Sequence, residues 1–470
     1  MTTSHPAVVV GGGISGLSCA FALRRAGLDA ILLESSARPG GVIRSEQRDG
    51  WLFEHGPQSF TATAPLLQLI REIGLDSEIA RADSRAPRFV LVNGSLVPVP
   101  LGPLAFFASS LLGWKTKFSL LADLFSKSRP PEPDESLADF IRRKFTPELL
   151  EKLAGPFVSG IYAGDPERLS LRSAFPMLHA AEAAKGSLIR GMFAVAKAEN
   201  TAHPQRGPRE KSALISFRSG NDALPQALGR HLGDALWLNS TLHTIEHTPR
   251  APQRFSLRVL RADREETILC DHLILATPPD RAGELLASLD PQFAAHLAAI
   301  EFASVAVVSL GFSSSQIARS MTGFGFLVPR SAGLRLLGSV WNSSLFPGRA
   351  PDGSVLFANF MGGASDPAIA NLPPQELIEI AQRELAPILG IQGPPIFSEV
   401  RIYPRAIPQY NLGHSARLAS INALRANFPG LWLAGSYWKG PAVYSCAEFG
   451  LETAASVLAA ANPNAASANS

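Results

Sequence analysis

The chain of 470 residues is poor in cysteine, with three in all: Cys19, Cys270 and Cys446. They lie far apart and form no CxxC pair, which argues against a disulfide framework and a cysteine-held metal, and for a reducing compartment. A charge bias is missing as well. Lys and Arg number 43 against 40 Asp and Glu, a net charge of +3, and the cations are scattered, so there is no basic stripe of the kind a nucleic-acid binder needs. Nor is there a leader-like or spanning segment at the start: after the polar Met1 to Pro6, the apolar run Ala7 to Val10 is cut short by glycines. The expected location is cytoplasmic. Apolar residues are plentiful, 46% hydrophobic against 18% charged, in a chain long enough for two or three cores.

Val8 to Val10 reads as a buried strand, the glycines after it as a turn, Ile14 to Ala26 as a helix ended by Gly27, and Ala30 to Leu33 as a second, parallel strand. Further apolar strands are expected at His272 to Ala276 and Leu431 to Ala434, the latter leading into a helical pattern from Ser445 to Ala460. Together they suggest an α/β fold whose first sheet is interrupted by insertions, with no internal repeat. The expected division is a discontinuous nucleotide-binding domain (1–86, 208–291, 411–470), a helical domain (98–207) and a substrate domain (87–97, 292–410). Within the last, Ser304 to Phe312, Gly325 to Val328, Leu334 to Val340 and Val355 to Phe360 read as strands of a second sheet. Pro98 to Phe125 is apolar and carries Trp114, Lys115 and Lys117, which suits either an interfacial helix pair on a membrane or a buried hairpin. Ala198 to Ser212 reads as a flexible loop and Asn462 to Ser470 as a disordered tail.

Gly11-Gly12-Gly13-Ile14-Ser15-Gly16 has the GxGxxG spacing directly after a strand and before a helix, the context that turns a weak motif into a strong one. Gly11 permits the tight turn, Gly13 lets the backbone approach a pyrophosphate, and Gly16 lets helix and strand pack closely. The helix N-terminus supplies N–H donors and partial positive charge. Glu34 ends the second strand, where a carboxylate accepts from ribose hydroxyls.

Arg38-Pro39-Gly40-Gly41 resembles the second glycine pair of the flavoprotein oxidase and desaturase superfamily, and Ala434-Gly435 resembles its C-terminal flavin-binding element. The resemblance implies FAD. Along nearly its whole length the chain further resembles the protoporphyrinogen/coproporphyrinogen oxidase family, within the flavin amine oxidase superfamily. The matching stretches are GGGISGLSCAFAL at Gly11, GGVIRS at Gly40, FEHGPQSF at Phe53, FVSGIYAGDPERLSLRSAFP at Phe157, SVAVVSLGF at Ser304, GFGFLVP at Gly323, FMGG at Phe360, PQYNLGH at Pro408 and GSYWKGPAVYSC at Gly435. Amine oxidases and carotenoid desaturases share the glycine pair but not FVSGIYAGDP or GFGFLVP. A noncatalytic assembly partner is the rival from another class.

The resemblance implies a Rossmann-like FAD domain, a β-rich substrate domain and a membrane-facing helical insertion. It assigns cofactor contacts to Gly11, Gly12, Gly13, Ile14, Ser15, Gly16, Glu34, Gly41, Val42, Gly56, Pro57, Gln58, Ser59, Leu242, Ser436, Pro441, Ala442 and Val443, many through backbone atoms. Arg88 would face a substrate propionate, while Leu327, Val340 and Phe360 would sandwich the macrocycle. The implied reaction takes a porphyrinogen to a porphyrin in haem biosynthesis, six electrons in three rounds, with hydride passing to flavin N5 and dioxygen returning as hydrogen peroxide. Protoporphyrinogen IX and coproporphyrinogen III both remain open, and Arg85, Arg330 and Arg335 are the further cations to consider for the latter. Implied partners are the porphyrinogen, dioxygen, the inner face of a membrane and a neighbouring haem-pathway enzyme. His55 is a candidate base or a hydrogen-bonded turn histidine. Departures from the family occur at Ser415, Gly440-Pro441 and Ser445-Cys446; the flanks of Cys446 do not match a covalent attachment sequence, so FAD is expected to be noncovalent.

Overall fold

The computed structural model describes residues 2–100, 102–127, 134–194, 213–249 and 253–462. The loop expected at Ala198 to Ser212, and the expected tail after Asn462, lie outside the described residues.

The first sheet has seven strands, in the order Leu236–Trp237, Ala30–Leu33, Thr2–Val10, Arg264–Leu275, Phe255–Arg261, Ser240–His247, with Leu431–Leu433 also pairing with Arg264–Leu275. The strands around Thr2–Val10 run parallel, and the last two pairings are antiparallel. Protein covers both faces. Val8, Val10, Ile31, Leu33, Leu273 and Leu275 point into one core, and Ala7, Val9, Ala30, Leu32 and Ile274 into another beneath Ile14–Arg25 and Val443–Ala461. That two-sided burial is why these strands are unbroken apolar runs in the sequence. Helix Pro291–Ala298 adds Phe293 and Leu297 to the first of these cores. The border expected at residue 292 therefore falls in the structure at the strand beginning with Phe302.

The second sheet also has seven strands, in the order Phe397–Pro408, Phe302–Ser313, Ser354–Gly362, Leu336–Trp341, Gly325–Leu327, Arg88–Val92, Ser95–Pro98. Phe89, Ala306, Val308, Leu310, Phe326, Phe357 and Met361 pack on one face with Leu377, Ile380, Ala381 and Leu385 of helix Pro374–Leu389. Strand alternation sends the intervening residues to the other face.

Helices Leu137–Lys144, Gly155–Tyr162 and Pro176–Lys185 build a third unit around Phe140, Val158, Tyr162 and Leu171. The Pro98 to Phe125 stretch is partly buried and partly exposed. It forms two short helices, Pro103–Ala108 and Trp114–Ala122, hinged on buried Leu111 and Leu112, while Trp114 and Phe118 stay 60% and 62% exposed. Lys117 is buried, its Nζ donating to the carbonyls of Phe107 at 2.9 Å and Ser109 at 2.7 Å. Among the described residues no helix is long and apolar enough to cross a membrane.

Candidate cofactor and substrate site

Close approach dictates the glycines of the first turn. A Cβ on Gly16 would stand 2.0 Å from the Gly11 carbonyl oxygen, and one on Gly11 would stand 2.7 Å from that of Ala276. Gly13 differs, since a Cβ there would meet nothing within 4 Å. The open space lies in front of the N-terminus of Ile14–Arg25, whose N-cap Gly13 offers no side-chain bond, so the first-turn N–H groups are left for a ligand. An anion fits there.

Glu34 braces the turn as well as facing it. Its Oε2 accepts from Gly12 N at 2.6 Å, and its Oε1 from Ser36 N at 2.8 Å and Ser36 Oγ at 2.7 Å. Gly40 N donates to Gly12 O at 2.7 Å, and Arg38 ties the second glycine pair by donating to Gly41 O at 2.7 Å and Ile43 O at 3.1 Å. Val42 is left 49% exposed on this loop, and a Cβ on Gly56 would stand 2.1 Å from its carbonyl oxygen. Gly12, Gly13, Glu34, Gly41, Val42 and Gly56 are thereby gathered at one end of the sheet. Leu242 lies two residues beyond Ser240, whose amide donates to Glu34 O at 2.9 Å. Its side chain is buried and its carbonyl accepts from Arg281, which leaves the irregular backbone between Leu242 and Thr244 as its contribution to the site.

The Gly56 to Ser59 turn is held from both sides. Asn221 Nδ2 donates to Pro57 O at 2.8 Å, Gln58 Nε2 to Gly56 O at 2.8 Å, and Asn342 Nδ2 to Gln58 Oε1 at 2.7 Å. Asn342 directly follows strand Leu336–Trp341, so this last bond joins the cofactor turn to the second sheet. A buried ion pair reinforces the seam. Arg349, 2% exposed, donates to Glu54 Oε1 at 2.8 Å and also to Ser216 Oγ, while burial pushes the Glu54 carboxyl above its ordinary range against the opposing pull of Arg349.

At the far end of the chain, Ser436 opens the short helix Ser436–Lys439, and Pro441 and Ala442 lead into Val443–Ala461. This helix too has an N-cap, Ala442, without a side-chain bond. It crosses Ile14–Arg25 so closely that a Cβ on Gly450 would stand 2.3 Å from Ser15 O, which brings two uncapped helix N-termini to one place. Among the described residues, Thr277 Oγ1 and Asn342 Oδ1 are buried here without partners. Spare donors and orphaned acceptors of this kind fit a polar dinucleotide cofactor. When bound, a flavin supplies the redox chemistry; the protein binds and orients it.

On the second sheet, Leu327 pairs with Gly338 and Gly338 with Phe360, while Gly325 pairs with Arg88, Val340 pairs with Gly325, and Ala358 with Val340. Paired residues share a face, so Arg88, Leu327, Val340 and Phe360 all lie opposite helix Pro374–Leu389, with Gly325, Gly338 and Ala358 keeping the surface low between them. Helix Gly155–Tyr162 approaches this surface at Leu327, whose Cδ2 would be 2.5 Å from a Cβ on Gly160. The Arg88 guanidinium lies 5.2 Å from the Phe324 ring centre at the edge.

His55 takes the structural role of its two readings: it is 4% exposed, its Nε2 lies 3.0 Å from Glu46 Oε2, and burial lowers its pKa. Sequence reasoning passed over Asn342 and Arg349, which brace the cofactor turn and its seam, Thr277, whose buried hydroxyl is unpartnered, and the pair Tyr410 and His414. Only the last two stood in a motif, PQYNLGH, that could have drawn attention to them.

Comparison with known proteins gives the same picture. The flavin containing amine oxidoreductase pattern matches residues 14–458. Protoporphyrinogen oxidase 1, chloroplastic, of Arabidopsis thaliana is 35% identical over 97% of this chain and 88% of its own length. Coproporphyrinogen III oxidase of Bacillus subtilis (strain 168) is 28% identical over 94% of this chain and 96% of its own. A solved structure assigned as a protoporphyrinogen oxidase from Exiguobacterium sp. 255-15 superposes with a TM-score of 0.79 at 26% identity, covering 97% of this chain and 99% of that one. The chain therefore belongs to the flavin containing amine oxidoreductase family and is an FAD-dependent oxidoreductase.

Proposed function

We propose that the chain oxidises a porphyrinogen to a porphyrin on noncovalently bound FAD, as a step of haem biosynthesis. The observation that carries this reading is the face of the second sheet opposite helix Pro374–Leu389, where the partly buried apolar side chains of Leu327, Val340 and Phe360 lie with Arg88 at the edge, joined to the cofactor turn through Asn342 and Gln58. A flexible tetrapyrrole needs a wide apolar slot with few cations, and a guanidinium takes a carboxylate bidentately. Bound FAD would supply the redox chemistry, a two-electron oxidation in each of three rounds with dioxygen as the final acceptor. The chain's own part is to hold the macrocycle against this face, keep water from it and anchor a propionate at Arg88.

Protoporphyrinogen IX is the favoured substrate, because the other cations are already engaged. Arg330 pairs with Asp165 at 3.1 Å, Arg335 with Asp366 at 2.7 and 2.9 Å, and Arg85 with Asp83 at 3.3 Å in an exposed position. Coproporphyrinogen III, with two more carboxylates, is the second reading, and the Bacillus relative supports it. Cys446 suits a noncovalent flavin: its thiol is buried, donates to Gly440 O at 3.5 Å, and is pushed by burial up to about 11. Leu104, Phe125 and Phe193, at 89%, 85% and 74% exposure, together with Trp114 and Phe118, support peripheral contact of the helical unit with the inner face of a membrane. A neighbouring enzyme of the same pathway would meet it there. Turnover with each porphyrinogen in air, followed by porphyrin fluorescence and peroxide release, tests the reading. Porphyrin and peroxide are expected from protoporphyrinogen IX, and a preference for the four-carboxylate substrate would reverse the order of the two.

A further inference from the structure

The linker from Gln409 to Gly413 meets the C-terminal turn through two buried aromatic residues that carry no role in the site as described so far. Tyr410, 2% exposed, lies between the ring of Tyr162, 5.9 Å away, and that of His414, stacked at 4.4 Å and 12°. Its hydroxyl donates to Ser436 O at 2.5 Å and accepts from Gly440 N at 2.7 Å. His414 Nε2 donates to Tyr437 O at 2.9 Å. Three backbone atoms of one turn are thus fastened by two side chains. The linker is itself pinned to the helical unit: Ser170 N donates to Tyr410 O at 2.8 Å, Leu412 N to Arg168 O at 2.9 Å, and Gly413 N to Asp134 Oδ2 at 2.7 Å.

We propose that Tyr410, backed by His414, is a positioning residue that sets the Ser436 to Gly440 turn, and with it Ser436 and Pro441 to Val443, against the cofactor. The inference rests on the reading of that segment as flavin-binding. The turn needs fastening from outside, because its helix is four residues long, has no side-chain cap, and is flanked by Gly435 at φ 134° and Gly440 at φ 128°. Both groups are in the protonation state the bonds require at neutral pH. Burial raises the Tyr410 phenol, and it lowers the His414 imidazole to about 4, so the ring is neutral with its proton on the nitrogen facing the Tyr437 carbonyl.

Tyr410→Phe keeps the ring and removes the hydroxyl, which leaves a buried carbonyl and a buried N–H unsatisfied. Deflavinated Tyr410→Phe protein is expected to bind added FAD at least about tenfold more weakly than wild type. Once reloaded, its flavin absorption band and reduction potential are expected to shift, and kcat to fall with the porphyrinogen KM unchanged. His414→Phe should move the same readouts by less, and His414→Gln, which retains an N–H donor, should restore them. If Tyr410→Phe does not fold, the two His414 variants decide. FAD affinity, spectrum and potential equal to wild type in Tyr410→Phe would overturn the proposal even if the melting temperature dropped, because the tyrosine would then only be filling space. Wild-type protein that takes up no FAD would overturn both this proposal and the flavin-binding reading beneath it.

Discussion

The first sheet is covered by protein on both faces, with Val8, Ile31 and Leu273 turned to one core and Val9, Leu32 and Ile274 to the other. The second sheet has a full core on one face, where helix Pro374–Leu389 packs. On the other face its cover is divided among smaller contacts: Val305, Val307 and Ala358 beside the partly buried Phe360, Leu356 with Trp51 and Phe53, and Val90 in the core of the helical unit. The first sheet serves the site from its end, through a turn with no room for a Cβ at Gly11 or Gly16, and the second serves it from the face opposite helix Pro374–Leu389. An end presents backbone donors, which suit phosphates and ribose; a face presents side chains, which suit a flat apolar substrate. The two halves meet at Asn342 and Gln58, at Arg349 and Glu54, and at Tyr410.

The largest effect is expected where the seam is cut. Arg349→Met leaves the Glu54 carboxylate buried and unpaired, and should cost about 3–5 kcal/mol in urea unfolding. Adding Glu54→Gln should recover much of that; a loss below about 1 kcal/mol would mean that the seam is held elsewhere. Next comes acid. The His414 pKa falls from 6.5 to about 4 on folding, so between those values the unfolded chain holds more protons than the folded one. Stability is then full above pH 6.5 and declines by roughly 3 kcal/mol as the pH falls to 4. His414→Gln should remove that slope, which parallel melting curves of the two proteins across this range would reveal.

Gly13→Ala addresses the end of the first sheet alone. Its backbone is extended at φ −69° and its Cβ would meet no protein atom, so the apoprotein should melt as wild type does. The methyl would instead stand where a phosphate belongs, weakening FAD by about 1–3 kcal/mol in a titration of the apoprotein. The smallest change is expected at the edge of the second sheet. Arg88→Ala should raise the porphyrinogen KM about tenfold, as for a lost charged hydrogen bond near solvent, with flavin content unchanged. An unaltered KM would remove Arg88 from the substrate face.

The strand, turn and helix from Ala7 to Arg25 were legible because every constraint on them is local: an apolar run, glycines at fixed spacing, then helical periodicity. Strands of the second sheet were legible because Gly, Pro and Ser punctuate them, and Arg88, Leu327, Val340 and Phe360 were named from the resemblance before their shared face could be seen. What stayed hidden depends on residues distant in the chain. Lys117 has the composition of an interfacial cation, and only the fold turns the Phe107 and Ser109 carbonyls toward it. Phe293 and Leu297 have helical spacing that marks a buried stripe without saying which core receives it. Tyr410 and Asn342 look like ordinary linker residues until the cofactor turns are brought against them.

Anaerobic mixing of the flavin-loaded protein with protoporphyrinogen IX, followed by the flavin absorbance, tests the central claim most directly. The two-sheet account predicts rapid bleaching, followed by colour return and porphyrin fluorescence when air is admitted. Bound flavin that stays oxidised with both protoporphyrinogen IX and coproporphyrinogen III would contradict it.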